Sequence, residues 1–446
     1  MSNTTSSAPL GHGNGSLKMP ERLSWAVGFG LFFVAYATVC SVLRFRRLND
    51  IRSRYNFPDR ASFSRMTHAD AQAIIYTVFS FEFPLFYDLA LRYALFKTYA
   101  IENIAKLLVS VSDLAKSSQA PKRYEDTEII FAWYISLSIL RSGTLLMLTL
   151  LSFALFPPSS PLLHKAVARM NYLHAPYIKS KRILNQDLLY VLYTAMVEPI
   201  RFIRLYEWRS LTELEVAAQA TLWKYIGDMM GIDYAEQLGK NEWNDSIEFM
   251  EDVTRWACKY EDSYMLPLPE VQHIGAVLVD LLLSAYPKTM RPLGYQMILV
   301  LMGEKMRYAF GFQEPGVAIS ALTYVLLLSR QIFIRYLALP RLSPMRYVAD
   351  PDPKTGRMHH THYLKEPWYT PATMWARWGP VAWVTRAAGG MIPGDGGAEM
   401  KPEGFLFEDL GPRCQMGQGY EETAQMEEQV RLVTTRTGTC PFSIPA

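Results

Sequence analysis

Residues 85–108 read LFYDLALRYALFKTYAIENIAKLL. Apolar side chains recur in this stretch at intervals of three and four residues, which is the spacing of one face of an α-helix. Pro84 stands directly before it and interrupts the preceding apolar run. Similar periodic stretches occupy residues 67–340, and neither an alternating strand pattern nor a tight hairpin-turn signal stands out among them. The sequence therefore predicts an all-α protein.

Helix boundaries have their own signals. Thr67 and Asp70 form the pattern of a capping box, in which a hydroxyl and a carboxylate three residues apart each bind a free backbone N–H. Ser210 and Glu213 repeat that pattern before LTELEVAAQATLWKYIGDMMG, whose last residue is Gly231. Glycine commonly ends a helix because it adopts the left-handed conformation without strain. We therefore expect a helix that starts after Ser210 and ends at Gly231.

Composition excludes several classes of protein. The 446 residues contain 45 Lys and Arg against 42 Asp and Glu, a net charge of +3, which argues against a nucleic-acid partner. Half of the residues are hydrophobic and 20% are charged, so a disordered or acidic-tail protein is excluded. The four cysteines lie far apart and form no CxxC motif. A disulfide framework or a thiolate zinc site is therefore not expected.

Residues 24–43 predict a membrane anchor. They read SWAVGFGLFFVAYATVCSVL and contain no charge, and about 20 such residues span a hydrocarbon core of about 30 Å. A cleaved signal peptide fits less well, because the apolar run is too long, starts late and lacks a small-residue cleavage site before the basic block. The sequence thus favours a transmembrane helix.

The charges beside this helix predict its orientation. The segment after it is strongly basic and the segment before it is weakly so, because Lys18 and Arg22 are offset by Glu21. By the positive-inside rule the body is cytosolic and residues 1–23 are lumenal, as in a single-pass protein of the endoplasmic reticulum membrane. The basic residues are Arg44, Arg46, Arg47, Arg52 and Arg54.

The chain divides into four parts on this basis. Residues 1–23 form a polar lumenal tail that we expect to be disordered, with glycosylation sequons at Asn3 and Asn14. Residues 24–43 are the anchor, and residues 44–340 form the helical body. The fourth part, residues 341–446, is a Pro/Gly/Trp-rich extension that we expect to be mostly irregular, with a short helix near 420–434.

A second apolar stretch, residues 129–156, is broken only by Arg141. An arginine at the middle of a bilayer costs about 2.5–3.5 kcal/mol on the insertion scale. A second span would also move everything after it into the lumen. Three interpretations stay open at this point: a second span, a buried or membrane-dipping hairpin, and a splicing or gene-model artefact.

Histidines are the first candidates for chemistry. His174 follows Leu163, Val167 and Met170 on one apolar helix face, where an imidazole is either a core histidine or an axial ligand of haem iron. A second group, HHTH, contains His359, His360 and His362 in the extension. There we favour a solvated loop over a metal site, because three ligands from one tetrapeptide rarely give tetrahedral geometry.

Arg123 and Thr127 form a second candidate pair. They are four residues apart in KRYEDT and therefore share one helix face. One interpretation is a surface turn with Lys122, Glu125 and Asp126. In the other, a cation and a hydroxyl face a pocket, where the arginine would bind a carboxylate or a propionate, or polarise bound oxygen.

Several segments together resemble a known family. The chain from about residue 44 to 443 closely resembles the ER-bound oxygenases of mycophenolic acid biosynthesis, the mpaB family, and more distantly the latex-clearing rubber oxygenases. The segments that carry the resemblance are FEFPLFYDLALRYALFKTYAIENIAKLL, KRYEDT, YLHAPYI, ILNQDLLYVLYTAMVEPIRFI, EWRSLTELE, WKYIGDMMGI and RTGTCPF.

The resemblance implies a globin-like all-α catalytic domain that uses O2 to cleave a C=C bond in the isoprenoid chain of a prenylated or terpenoid secondary-metabolite intermediate. It also implies haem b. Arg123, Thr127 and His174 match in order and type an Arg, a Thr four residues later and a proximal histidine of the rubber oxygenases. The spacing from Thr127 to His174 is longer than in those relatives by about the apolar insert. The glutamate base of the rubber oxygenases has no counterpart in KLLVSVSDLAK, residues 106–116.

The resemblance therefore favours a haem-dependent, membrane-anchored oxygenase with His174 as the iron ligand. Trp223 and Tyr225 would wall a channel for the prenyl chain, although plain core packing also explains them. Two rival functions stay open. One is an oxygenase that uses a non-haem metal or no metal. The other is a membrane-tethered lipid carrier or scaffold, in which His174 is a core residue.

Overall fold

The computed structural model describes residues 21–131, 161–284, 286–345, 351–360, 363–437 and 440–442. Across these ranges the chain is helical, with one isolated β-bridge between Met358 and Phe405 and no regular strand, so the all-α prediction is confirmed. The globin-like arrangement stays a prediction. The α-helices are α1 (Glu21–Arg54), α2 (His68–Thr77), α3 (Pro84–Thr98), α4 (Glu102–Val111), α5 (Ala120–Phe131), α6 (Pro161–Lys179), α7 (Asn185–Tyr206), α8 (Glu213–Met230), α9 (Tyr234–Leu238), α10 (Ser246–Tyr264), α11 (Pro269–Ser284), α12 (Arg291–Met302), α13 (Glu304–Phe310), α14 (Val317–Tyr336), α15 (Met374–Trp378), α16 (Pro380–Ala387) and α17 (Tyr420–Thr437).

Helices α3, α7 and α8 meet in the centre of the body. Pro199 lies inside α7 and lacks the N–H that would bind the carbonyl of Ala195. Gln219 of α8 supplies a donor instead: its Nε2 lies 3.4 Å from the Ala195 oxygen and 3.3 Å from the Met196 oxygen. Its Oε1 accepts a hydrogen bond of 2.8 Å from the Tyr87 hydroxyl of α3. One buried amide therefore joins all three helices.

The helix caps differ in part from the sequence prediction. The Thr67–Asp70 capping box and the glycine end of α8, with Gly231 at φ 73°, are both confirmed. The prediction for the start of α8 is wrong by two residues: Thr212 is the cap, and its backbone N–H donates to Glu215 at 2.8 Å. Ser210 and Thr212 are each followed three residues later by a glutamate, so the sequence pattern alone does not show which of them caps the helix. The capping box at Thr212 forms because the backbone is still extended at this residue.

The C-terminal extension packs on the body. Helix α17 confirms the predicted helix near residues 420–434, and it lies along α6. The guanidinium of Arg169, on α6, is fully buried and donates to the carbonyls of Glu408, Leu410, Gln415 and Gln418 at 2.8–3.0 Å. The extension is thus attached to the helix that carries His174.

Two helices of the described part of the chain are long and apolar enough to cross a membrane: Trp25–Arg54 and Val317–Tyr336. The first contains the predicted anchor. The single-pass count, the orientation and the four-part division stay predictions. The sequons at Asn3 and Asn14, and nearly all of the apolar stretch 129–156, lie outside the described residues.

Candidate active site

An apolar cavity of about 70 Å³ lies between α3, α5, α7, α11, α12 and α13. Most of its wall consists of leucine, phenylalanine and methionine side chains, because the buried faces of these helices converge on it. Its volume is small beside the ~300–1,000 Å³ of an ordinary ligand pocket, so a whole ligand needs side chains to move apart. The apolar wall includes Leu89, Phe96, Phe202, Leu282, Leu301 and Met306.

Arg92 is the one charged side chain among the described residues that line this cavity. Its Nη2 lies 2.9 Å from Oδ2 of Asp88, and both side chains are buried. A buried charge requires a partner of opposite sign, since an isolated one is expensive to desolvate. The sequence analysis missed this pair. In the sequence the pair is visible as an Asp and an Arg four residues apart in the otherwise apolar stretch LFYDLALRY.

Tyr99 and Tyr124 line the part of the cavity next to α5. Burial raises the pKa of Tyr99 above its usual value of 10, and the nearby positive charge of Arg123 offsets part of that rise. Tyr99 therefore remains protonated and keeps a hydroxyl donor at any ordinary pH. Tyr124 follows Arg123 directly in the chain, so the cavity reaches the helix turn that carries the predicted arginine.

His174 lies on α6 within electrostatic range of the same arginine. Burial lowers the pKa of His174 from 6.5 to about 4, and the Arg123 charge lowers it further in the same direction. His174 as a whole residue is half-buried. At neutral pH the imidazole is therefore uncharged, which is the form that binds a metal. The structure thus places Arg123 within electrostatic range of His174, and their roles as site residues stay a prediction.

Thr127 lies on α5, one turn after Arg123, and its side chain is outside the described residues. Two hydrogen-bonded side chains fix the orientation of α6, the helix that carries His174. Asn171 donates to the carbonyl of Met229 on α8 at 3.0 Å, and Arg169 is bound to the extension. Pro176, two residues after His174, removes one backbone hydrogen bond from the helix.

The remaining charged residues of KRYEDT hold α5 against the extension. Lys122 lies 2.6 Å from Asp126, which also accepts a hydrogen bond of 2.8 Å from the Tyr369 hydroxyl. Glu125 accepts from the backbone N–H of Leu364 at 2.8 Å. Lys122, Glu125 and Asp126 are all buried. The surface-turn interpretation of this segment is therefore wrong.

The HHTH group also differs from the prediction. His360 is buried, with its Nδ1 3.4 Å from Oε2 of Glu125, so the expectation of a solvated loop is wrong for this residue. His362 lies outside the described residues. Within the described part of the chain, no group of three His, Cys, Asp or Glu side chains is arranged to hold a metal ion.

Trp223 and Tyr225 lie away from the cavity wall. Both are buried in α8, and the Tyr225 ring stacks on the His68 ring with their centroids 4.3 Å apart. Neither residue lines the apolar cavity, whose wall comes mainly from α3, α11 and α12. The periodicity of α8 could not distinguish a residue that lines a cavity from one in close-packed core.

The donors at this place fit a haem. A neutral imidazole nitrogen is a standard axial ligand of haem iron, and His174 is neutral. A guanidinium binds carboxylates such as the haem propionates with two parallel hydrogen bonds, and Arg123 lies close to His174. The haem fit rests on the chemistry of these two side chains alone. The cavity of about 70 Å³ has the size of part of an apolar chain.

These features define a class of protein: an all-α protein with a membrane-type N-terminal helix, an apolar cavity, and an arginine within electrostatic range of a neutral histidine. No family model matches the chain. Three curated relatives do. The ER-bound oxygenase mpaB' of Penicillium brevicompactum is 33% identical over 426 residues, 95% of this chain and 96% of the relative.

The ER-bound oxygenase mpaB of the same species is 31% identical over 395 residues, 88% of this chain and 89% of the relative. The mpaB of Penicillium roqueforti (strain FM164) is 33% identical over 298 residues, 66% of this chain and 92% of the relative. The chain belongs to the ER-bound oxygenase mpaB family. The family predicted from the quoted segments is confirmed, and with it an oxygenase role.

Proposed function

We propose that this protein cleaves a C=C bond in the isoprenoid chain of a prenylated or terpenoid secondary-metabolite intermediate, at the membrane of the endoplasmic reticulum. The observation that carries the proposal is the apolar cavity lined in part by Tyr99 and Tyr124, with Arg123 within electrostatic range of both Tyr99 and His174. An isoprenoid chain fits an apolar wall because its burial there removes hydrocarbon from water.

The reaction balances without a further reductant. Two bonds between the alkene carbons break, each carbon gains one oxygen atom of O2, and two carbonyl products form. No proton or electron enters from outside. The protein must then hold the alkene, keep water out and stabilise charge that develops on oxygen.

We propose that His174 holds haem b through its neutral imidazole, and that Arg123 binds a propionate or stabilises bound oxygen. Thr127, one turn later on α5, would present its hydroxyl on the same face. When bound, the haem would supply the activation of O2. His174 is suited to this role because burial and Arg123 keep it unprotonated at neutral pH.

The chain's own side chains account for orientation and exclusion of water. The leucine, phenylalanine and methionine wall excludes water from the alkene. Arg92 is neutralised by Asp88 and places one fixed dipole in that wall. Tyr99 remains protonated, so its hydroxyl can donate a hydrogen bond to an oxygen atom of the reacting chain.

A non-haem oxygenase and a lipid carrier are the rival functions, and one experiment separates them. Haem content is measured by the pyridine haemochromogen spectrum of the detergent-purified full chain, for wild type, His174→Ala and His164→Ala. His164 is a buried histidine on the same helix and serves as the matched control.

We expect one haem per wild-type chain, retention in His164→Ala and loss in His174→Ala. Haem retained in His174→Ala would remove the ligand assignment. Folded wild-type protein without haem would overturn the haem part of the proposal. Metal analysis and O2 uptake would then distinguish a non-haem oxygenase from a carrier that binds a prenyl ligand without consuming oxygen.

A further inference from the structure

We propose that the outer face of α14 docks on the bilayer that α1 crosses, and that the cavity beneath α14 receives its isoprenoid substrate directly from that bilayer. The docking stands on the structure alone, whereas the delivery of substrate rests on the function proposed above. Four observations carry the inference: the apolar outer face of α14, the polar contacts that hold α14 to the body, its hydrogen bonds to α1 and its contact with the cavity wall.

The outer face of α14 is apolar and exposed over its whole length. Exposed apolar residues of this extent are uncommon on soluble proteins and mark a contact with a membrane or a partner. Two polar residues of the helix contact the body: Arg330 pairs with Glu207 at 2.8 Å, and Gln331 donates to the carbonyl of Leu205 at 2.8 Å. The exposed residues include Val317, Val325, Leu326, Leu328, Ile332 and Phe333.

The end of α14 is attached to the membrane helix. The hydroxyl of Tyr36 donates to the carbonyl of Leu337 at 2.9 Å, and Arg44 donates to the carbonyls of Ala338 and Leu339 at 3.0–3.2 Å. Tyr36 precedes the end of the apolar stretch, Leu43, by seven residues, or about 10 Å at 1.5 Å per residue. The end of α14 therefore lies at the depth where α1 leaves the hydrocarbon.

The attachment of α14 to α1 indicates that a bilayer, and not a protein partner, covers the outer face of α14. A protein partner would have to cover an apolar surface that is continuous with the helix predicted to lie in lipid. A bilayer already surrounds α1 and needs no additional component to reach α14. The absence of an outward charge on the described face also favours hydrocarbon, because a charged side chain in the bilayer core is costly.

The inner face of α14 reaches the cavity wall. Leu327 packs against the buried cluster that contains Phe86, Phe202 and Tyr206. Phe202 also lines the cavity, as does Leu301, which packs against the same cluster. The contacts that link the lipid-facing helix to the cavity therefore pass through one group of aromatic side chains. The guanidinium of Arg330 lies 4.6 Å from the centre of the Phe86 ring, and that of Arg201 lies 4.8 Å from the centre of the Phe202 ring. An isoprenoid chain that moved along this route would pass between buried side chains and not through water.

Fluorescence quenching tests the docking. The full chain with Cys258→Ser, Cys414→Ser and Val325→Cys is labelled with an NBD dye and reconstituted in phosphatidylcholine vesicles. The control carries only Cys414→Ser and is labelled on Cys258, an exposed cysteine of α10 that lies among charged residues. Brominated lipids then report contact with acyl chains, and aqueous iodide reports contact with water.

We expect lipid quenching of the label at position 325 and iodide quenching of the label at Cys258. The docking would be overturned if iodide quenches both labels equally. This result does not depend on activity, so it stands even if the proposed reaction fails.

A second arm tests the delivery. Val325→Glu is compared with wild type on a prenylated substrate embedded in vesicles and on a short, water-soluble prenyl compound. Val111→Glu, another exposed apolar residue at a helix end, is the control. We expect Val325→Glu to lower turnover of the embedded substrate about tenfold, because its carboxylate resists insertion into lipid. Turnover of the soluble compound should stay at the wild-type value.

Equal losses of turnover on the embedded and the soluble substrate would overturn the proposed delivery from the bilayer. Unchanged turnover of both substrates would overturn it too. A wild-type chain inactive on both, with the label at position 325 still quenched by lipid, would mean that the proposed reaction fails and the docking holds.

Discussion

Replacing His174 with glutamine should reduce the amount of unfolding free energy that the chain loses as the pH falls. Burial and the Arg123 charge lower the pKa of His174 from 6.5 to about 4 in the folded chain. In the unfolded chain the imidazole titrates near its ordinary pKa. Between pH 4 and 6.5 the unfolded state therefore binds more protons than the folded state, so stability falls as the pH falls through this window and is fully present above it.

The magnitude follows from the two pKa values. At pH 5 the unfolded imidazole is almost fully protonated and the folded one is mostly neutral. With 1.36 kcal/mol per pKa unit, His174 should cost the haem-free chain about 2 kcal/mol of unfolding free energy between pH 7 and pH 5. Glutamine has similar polarity and no titration, so the His174→Gln chain should lack this contribution.

The assay is urea unfolding of both haem-free chains in the same detergent at pH 5, 6 and 7, followed by tryptophan fluorescence. The wild type should lose about 2 kcal/mol more than His174→Gln between pH 7 and pH 5, since all other titrating groups are common to both chains. Equal losses in the two chains would refute the neutral, buried imidazole on which the site is built.

Two further substitutions test the packing around the site. Lys97 lies 3.0 Å from Glu198 and 2.6 Å from Glu261, and all three side chains are largely buried. Lys97→Met should lower the unfolding free energy by about 3 kcal/mol, the lower end of the range for breaking a buried ion pair, because Glu198 keeps Arg201 and Glu261 keeps Lys305 as cationic partners. A loss below about 1 kcal/mol in urea unfolding would show that the pair is solvated. Arg169→Met should leave buried carbonyls of the extension without a donor, at about 1–3 kcal/mol each, and so speed hydrogen exchange in residues 405–418 while α3 and α7 keep their protection. Unchanged exchange there would contradict the role of Arg169 in attaching the extension.

Local patterns were enough to predict much of the fold. The uncharged run in α1, the Thr67–Asp70 box and the glycine at the end of α8 each depend on residues close in sequence, so their consequences were visible without the structure. The same holds for the helical periodicity of α3, which follows from 3.6 residues per turn.

Other features depend on contacts between distant segments. Helix α14 has the same apolar periodicity as the core helices, and only its position against α1 and α7 shows that its outer face is uncovered. His360 sits in a polar, loop-like sequence and is buried because Glu125, more than 200 residues earlier, lies beside it. Such pairings have no local signal.

The candidate site was predictable only in part. Arg123 and His174 were singled out from the motif and from the family resemblance, and the structure places them within electrostatic range of each other. Arg92 was missed, because a lone charged pair on an apolar helix is as typical of a stabilising contact as of a cavity wall. The wall itself could not be predicted, since its residues come from six helices whose packing the sequence does not show.

The central claim is that the chain breaks an isoprenoid C=C bond with O2. The most direct test is a turnover of the full chain in lipid nanodiscs with a prenylated substrate under ¹⁸O2, with carbonyl products reduced at once so that they do not exchange with water. The account predicts two fragments that each carry one ¹⁸O atom. An intact chain with a single ¹⁸O atom, or fragments without ¹⁸O, would contradict it.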